Sequence, residues 1–137
     1  MKWTRAVAVC SIVLMLGACA SGAKPSACQP AERLAITDTL YFGTVAPAGV
    51  VSPEEWQDFF SGTVMPRFPQ GVTSWEASSQ WHTPTGALQR ERSRVLYLVH
   101  AGTEENEGAV RDIVARYKAR FQQESVLRVR SRACVSS

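Results

Sequence analysis

The cysteines constrain this chain most. Of its four, Cys10 and Cys19 fall near the amino terminus, while Cys28 and Cys134 stand 106 residues apart and bracket nearly everything else. Lys2 and Arg5 give a basic start, and Ala6 to Leu16 follows without a charged side chain. That apolar stretch is about half of the roughly 20 residues that a bilayer-spanning helix requires, which is the length of a signal-peptide core. Leu16-Gly17-Ala18-Cys19 closes it, with small residues that leave the backbone open to a peptidase and a thiol ready for acylation.

The pattern resembles the bacterial lipobox, which implies cleavage after Ala18 and attachment of diacylglyceryl to Cys19. On this reading residues 1–18 are a signal peptide, 19–31 a lipidated terminus with a flexible tether, and 32–137 one folded domain. An ordinary signal with a chance cysteine is the alternative. Two or more acyl chains hold a protein at a bilayer where one does so only marginally. The expected location is the cell envelope. In the Gram-negative sorting rule an aspartate after the lipidated cysteine retains a protein in the inner membrane; Ala20 stands there, so the outer membrane facing the periplasm is expected in such a host.

Cys10 then leaves with the signal and Cys19 is spent on lipid. Cys28 and Cys134 remain in an oxidising compartment, where a disulfide between them is the expected outcome. Free thiols or an intermolecular bridge are the alternatives. About one hundred residues suffice for one hydrophobic core but gain from a covalent staple. Lys2 and Arg5 are two of the 15 basic side chains, against 12 acidic, so the remainder is close to neutral. That balance gives no electrostatic case for nucleic acid. No later apolar run is long enough to span a bilayer, and the remainder is expected to be soluble.

Residues 34–43 alternate as a strand, with Ile36, Leu40 and Phe42 facing one way and Thr37, Thr39 and Tyr41 the other. Ser52-Pro53-Glu54-Glu55 is a helix start: Ser52 caps, Pro53 needs no amide hydrogen there, and Glu55 completes a capping box. Trp56, Phe59, Phe60 and Val64 continue at helical spacing until Pro66. A second strand spans 72–82, a turn sits at Pro84-Thr85-Gly86, and a third strand spans 91–100. Its uniformly apolar centre, Val95 to Val99, predicts burial on both faces. A second helix follows Gly102-Thr103, acidic at its start and basic at its end, with Val110, Ile113, Val114, Tyr117 and Phe121 as its apolar stripe. Residues 125–133 form the last strand. The order βαββαβ predicts an α+β ferredoxin-like sandwich: a four-stranded antiparallel sheet with two helices on one face and strand order 4-1-3-2. That order sets the start of the first strand beside the end of the fourth, where the two cysteines fall.

Three blocks carry a family resemblance: Leu40-Tyr41-Phe42-Gly43; Glu55-Trp56 with Pro66-Arg67-Phe68-Pro69; and Tyr117-Lys118 leading through Arg120-Phe121-Gln122-Gln123-Glu124-Ser125-Val126-Leu127-Arg128-Val129. Over roughly residues 35–135 the chain resembles domain-of-unknown-function family 3574, small bacterial exported proteins. Gln122 stands where the family form carries glycine. The resemblance implies no activity and transfers no catalytic residue.

Chemistry-bearing motifs are scarce. There is no glycine-rich phosphate loop, no His-Glu-x-x-His and no Cys-x-x-Cys, and neither cofactor nor metal is expected. His82 and His100 are the two histidines, and His82, at a strand end, is expected at the surface or in a structural hydrogen bond. The Arg90–Arg94 run is expected to begin an exposed strand with local ion pairs, and Arg67 is a candidate partner for Glu124. The sheet face away from the helices is the candidate site, carrying Thr39 and Tyr41 and, in the expected phase, Arg128 and Arg130. Such a face binds a planar or anionic ligand, is solvated, or is buried in a homodimer. The leading expectation is a non-catalytic envelope binding or interaction module held by its lipid. The alternative is a small periplasmic enzyme with a pocket between sheet and helices, using His82, Tyr41 or an arginine.

Overall fold

The computed structural model describes residues 27–137, so the signal peptide and Cys19 of the sequence reading lie outside the described residues. The elements are β1 (Arg33–Gly43), β2 (Val45–Ala46), β3 (Gly49–Val50), α1 (Pro53–Phe59), β4 (Thr73–His82), β5 (Leu88–His100), α2 (Glu104–Phe121) and β6 (Leu127–Val135). The four long strands form one antiparallel sheet in the order β4-β5-β1-β6, with both helices on one face. Counted over the long strands alone, this is the 4-1-3-2 order of the ferredoxin-like sandwich. The small β2–β3 hairpin is additional to the expected elements.

Alternation along β1 decides what is inside. Ile36, Asp38, Leu40 and Phe42 face the helices and are buried. Phe42 lies 4.6 Å from the Tyr117 ring of α2 and 5.4 Å from the Trp56 ring of α1, so one side chain joins sheet and both helices. The Tyr117 pair is edge-to-face and the Trp56 pair tilted, and aromatic pairs of this kind add about 0.5–1.5 kcal/mol each beyond the area they bury. In β5 the expected burial on both faces gives way to alternation: Leu96 and Leu98 are fully covered by the helices, whereas Tyr97 and Val99 are each 37% exposed on the other side. The helices cover one face only, and an apolar run cannot report which.

In β6 the expected phase is reversed. Arg128 pairs across the sheet with Leu40 and Arg130 with Asp38, which puts both arginines on the helix side; Leu127 and Val129, paired with Tyr41 and Thr39, take the open side. Arginines belong on the covered face here because carboxylates wait for them there.

Helix α1 starts with the complete capping box, Glu55 N–H donating to Ser52 Oγ and Ser52 N–H to the Glu55 carboxylate. Beyond Phe59 the chain widens into a π turn over Phe60–Val64. Pro66 has no amide hydrogen to extend an α ladder, and Met65 N–H closes the turn on Phe60 O instead. Arg67 then reaches Asp112 of α2 and donates to Thr63 O at 2.6 Å, so its partner is Asp112 and not Glu124. Arg92 and Arg94 pair across the hairpin with Glu76.

Cys28 and Cys134 are disulfide-bonded, with 5.4 Å between their Cα atoms, and Leu34 pairs with Cys134 across β1 and β6. The bridge closes nearly the entire domain, and the core cluster of the described residues, Leu40 to Phe121, lies inside the loop it closes. Residues 27–137 thus hold a closed core and its covalent staple in one folding unit. Reduction is expected to lower stability by about 2–5 kcal/mol in a urea titration, with both cysteines in one linked peptide on non-reducing mapping. Separate, alkylatable thiols in exported protein would contradict the bridge.

Helix α2 is capped by Thr103, whose Oγ1 accepts from Asn106 N–H at 3.2 Å. It ends at Gln122, with φ 51° and ψ 41° in the left-handed region that glycine prefers. The family's glycine thus marks the residue that turns the chain out of α2. A side chain in that conformation costs roughly 1–2 kcal/mol. Gln122→Gly is expected to recover about 1 kcal/mol, seen as a melting temperature raised by roughly 4–8 °C for a domain this size; an unchanged or lowered value would contradict the strain.

Candidate functional site

The two faces of the sheet differ in chemistry. On the helix side, the middle of β1 places a carboxylate among apolar neighbours: Asp38 is fully buried. Arg128 answers from β6, donating through Nε to Asp38 Oδ1 and through Nη2 to Oδ2, both at 2.8 Å. The same guanidinium donates at 2.7 Å to both carboxylate oxygens of Glu107 in α2, and Arg130 Nη1 donates to Glu107 Oε2 at 2.7 Å. From the end of β5, His100 sets Nε2 2.9 Å from Asp38 Oδ2 and Nδ1 2.8 Å from Ala101 O. The ring satisfies both acceptors at once only with a hydrogen on each nitrogen. Phe68 packs on the imidazole at 5.6 Å between centroids.

This network ties β1, β5, β6 and α2 together. Burial alone would raise the Asp38 pKa, but the bonds from Arg128 and His100 outweigh it and hold the carboxyl below its usual range. Hydrogen bonding from Arg128, aided by the nearby positive charges and opposed by desolvation, brings Glu107 down to about 2. Carboxylates with lowered folded pKa values stabilise the fold above their unfolded values of 3.8 and 4.5 and lose that contribution as pH falls. Urea stability is therefore expected to decline from about pH 5 downward. Glu107→Gln is expected to lower stability at neutral pH and flatten the acid limb, and an acid limb as steep as in the unaltered protein would refute the assignment.

The open face is built from three rows running across the strands. Trp75, Val95, Tyr41 and Leu127 form one; Thr73, Tyr97, Thr39 and Val129 the next; Val99, Thr37 and Ser131 the third. Leu127 is 61% exposed, Val129 51% and Trp75 44%, whereas Val95 is sunk among larger neighbours. Thr37 Oγ1 and Ser131 Oγ share a hydrogen bond of 2.7 Å. Although 20% of the chain is charged, the four long strands bring only two charged residues to this side among the described residues, Arg33 at one end and Glu91 at the other. At the Glu91 end, burial raises that carboxyl's pKa against a backbone hydrogen bond from Val45. Gly43 belongs to the same corner: a Cβ there would stand 2.8 Å from Glu91 Oε1, while Gly43 O accepts from Tyr117 Oη at 2.8 Å.

Of the residues expected on the open face, Thr39 and Tyr41 are there and Arg128 and Arg130 are not. His82 is exposed at the end of β4, apart from the Asp38 network. The sequence reading missed Asp38 with His100. The available signal was a charged residue sharing the phase of Ile36, Leu40 and Phe42. Near the disulfide, Glu32 lies within ligand distance of Cys28 and Cys134, but both sulfurs are committed to each other. Two clefts border β2 and β3, one of ≈ 170 Å³ touching Ala46, Val50, Glu55, Arg120 and Gln122, and a wider groove of ≈ 510 Å³ past Val45, Ser78, Arg90 and Arg92; a third, of ≈ 400 Å³, lies between Phe59 and Thr63 on one side and Arg116 and Arg120 of α2 on the other.

Among solved structures, this chain is similar to a phage SAM lyase in complex with S-methyl-5'-thioadenosine, at 13% identity and a TM-score of 0.53, covering 83% of this chain and 96% of that one. The same description in the apo state gives 16% identity and a TM-score of 0.51, over 74% and 89%. Likeness at these identities shows the fold alone. No curated protein matches. The family model for a protein of unknown function, DUF3574, matches residues 37–137. With nearly the whole described domain inside that match, the chain belongs to the DUF3574 family.

Proposed function

We propose that this chain is a lipid-anchored interaction module of the bacterial envelope, held by acylated Cys19 and presenting the open face of its sheet. The observation that carries the reading is the outward face itself: three rows of aromatic, aliphatic and hydroxyl side chains, with charge kept to the two ends, Arg33 and Glu91. Contiguous apolar surface of this kind marks an interaction site. The polar groups that converge elsewhere, Asp38, His100, Arg128 and Glu107, spend their hydrogen bonds on one another. Cys28 is nine residues beyond Cys19, so an extended tether keeps the disulfide-bonded end of the sheet within roughly 30 Å of the lipid. The outer membrane, periplasmic side, follows from Ala20 in a Gram-negative host.

Labelled palmitate tests the anchor. The full chain is expected to incorporate it and fractionate with membranes, and Cys19→Ser to do neither; equal labelling of both would remove the anchor. The enzyme alternative has its own probe in the ligand of the similar lyase. Titration of the domain with S-methyl-5'-thioadenosine is expected to show no saturable heat, and a stoichiometric isotherm would overturn the module in favour of a small-molecule site.

A further inference from the structure

We propose that the partner of the open face is a second copy of this chain, packed sheet to sheet. This deepens the reading of that face as an interaction surface and rests on it.

The centre of the face is uncharged. A surface that meets its own copy brings like against like, so any net charge near its centre repels itself. Here the rows Trp75–Val95–Tyr41–Leu127 and Thr73–Tyr97–Thr39–Val129 contain no ionisable group other than two tyrosine phenols. The arginines of the neighbouring positions, Arg128, Arg130 and Arg132, are all turned to the other side. The same absence separates a second copy from a lipid surface. A face that docks on a membrane gains from lysine and arginine set among its aromatics; here the aromatic rows have neither, and the one arginine in their phase, Arg33, lies at the far end of β1.

The face is also close to the size that a stable interface needs. Four strands about 4.8 Å apart and roughly 30 Å long present on the order of 600 Å² in projection. The relief of Trp75, Tyr97 and Leu127 adds to that, approaching the roughly 800 Å² per partner of a standard stable interface. The relief also suits interdigitation at the ~10 Å spacing of packed sheets. Tall side chains occupy the central rows, and low ones, Ala35 and Ala133 on one side and Ala77 and Ser93 on the other, flank them.

The stretch between Cys19 and the described domain is poor cover for the face. Residues 20–26, Ala-Ser-Gly-Ala-Lys-Pro-Ser, offer no side chain with the apolar area to fill these rows. That stretch therefore does not compete with a second copy for the face.

Residues 27–137, oxidised, tested by sedimentation equilibrium from about 1 µM to about 500 µM, are expected to approach twice the single-copy mass. Tyr97→Lys places a charge at the centre of the face on a side chain that is already partly exposed. It is expected to weaken association at least 100-fold with an unchanged circular dichroism spectrum, and Val129→Arg to do the same should Tyr97→Lys fold poorly. Leu88→Lys, an exposed apolar residue facing the other way, is expected to leave association unaltered. A single-copy mass at about 500 µM would overturn the proposal, as would association that both face variants leave untouched. Co-sedimentation of single copies with vesicles of phosphatidylethanolamine and phosphatidylglycerol would overturn it in favour of a membrane. A single-copy mass leaves the Cys19 anchor standing, and a failed palmitate label leaves the dimer standing, so the two readings fail separately.

Discussion

Phe42 inserts between Tyr117 and Trp56, and that packing commits every even-numbered residue of β1 to the helix side of the sheet. β1 is a central strand, paired with β5 on one side and β6 on the other, so its phase propagates through the ladder to three strands at once. Leu96 and Leu98 are drawn under the helices, and Tyr97 and Val99 are turned outward. Arg128 is brought over Leu40. A slip of one residue would invert all of this, exposing the apolar core and burying Tyr41 and Thr39.

Asp38 shares the core phase and would be expensive there by itself. Its charge is tolerated because Arg128 and His100 arrive from the two neighbouring strands, and Glu107 from α2 balances the arginine in turn. Removing one member of such a set strands the others, which makes the set intolerant of single changes. Its contribution is to specify: the network joins three strands to one helix in a single arrangement, where apolar packing alone admits shifts. A titratable cluster in a sheet resembles a catalytic one on paper. In this molecule Asp38, Arg128 and Glu107 bond to one another, and His100 bonds to Asp38 and to the Ala101 carbonyl.

The family blocks have a structural meaning. Phe42 touches Trp56 and Tyr117; Gly43 O takes the Tyr117 hydroxyl, and Gln123 Nε2 donates to Val45 O; Arg67 holds Asp112, and Phe68 covers His100. These blocks are the places where the chain closes on itself. They describe how the domain is built, and they also supply Tyr41, Leu127 and Val129 to the open face.

Much of this was legible without coordinates. The capping box at Ser52, the stripe of α2 and the alternation of β1 are local patterns, written in nearby residues because helix and strand periods are local properties. The pairing of Cys28 with Cys134 followed from counting, and the strand order from the succession of elements. The phase of β6 did not follow, because Leu127 and Arg128 alternate equally well either way round and only the partner strand decides which side is covered. The run Val95 to Val99 was silent for the same reason. Sequence alone determined the elements, their order and the staple that joins their ends, since these depend on short-range periodicity and covalent chemistry. Tertiary structure alone decided which face is charged and which is bare, since that depends on a register set by residues some sixty to ninety positions apart, His100 and Arg128 meeting at Asp38.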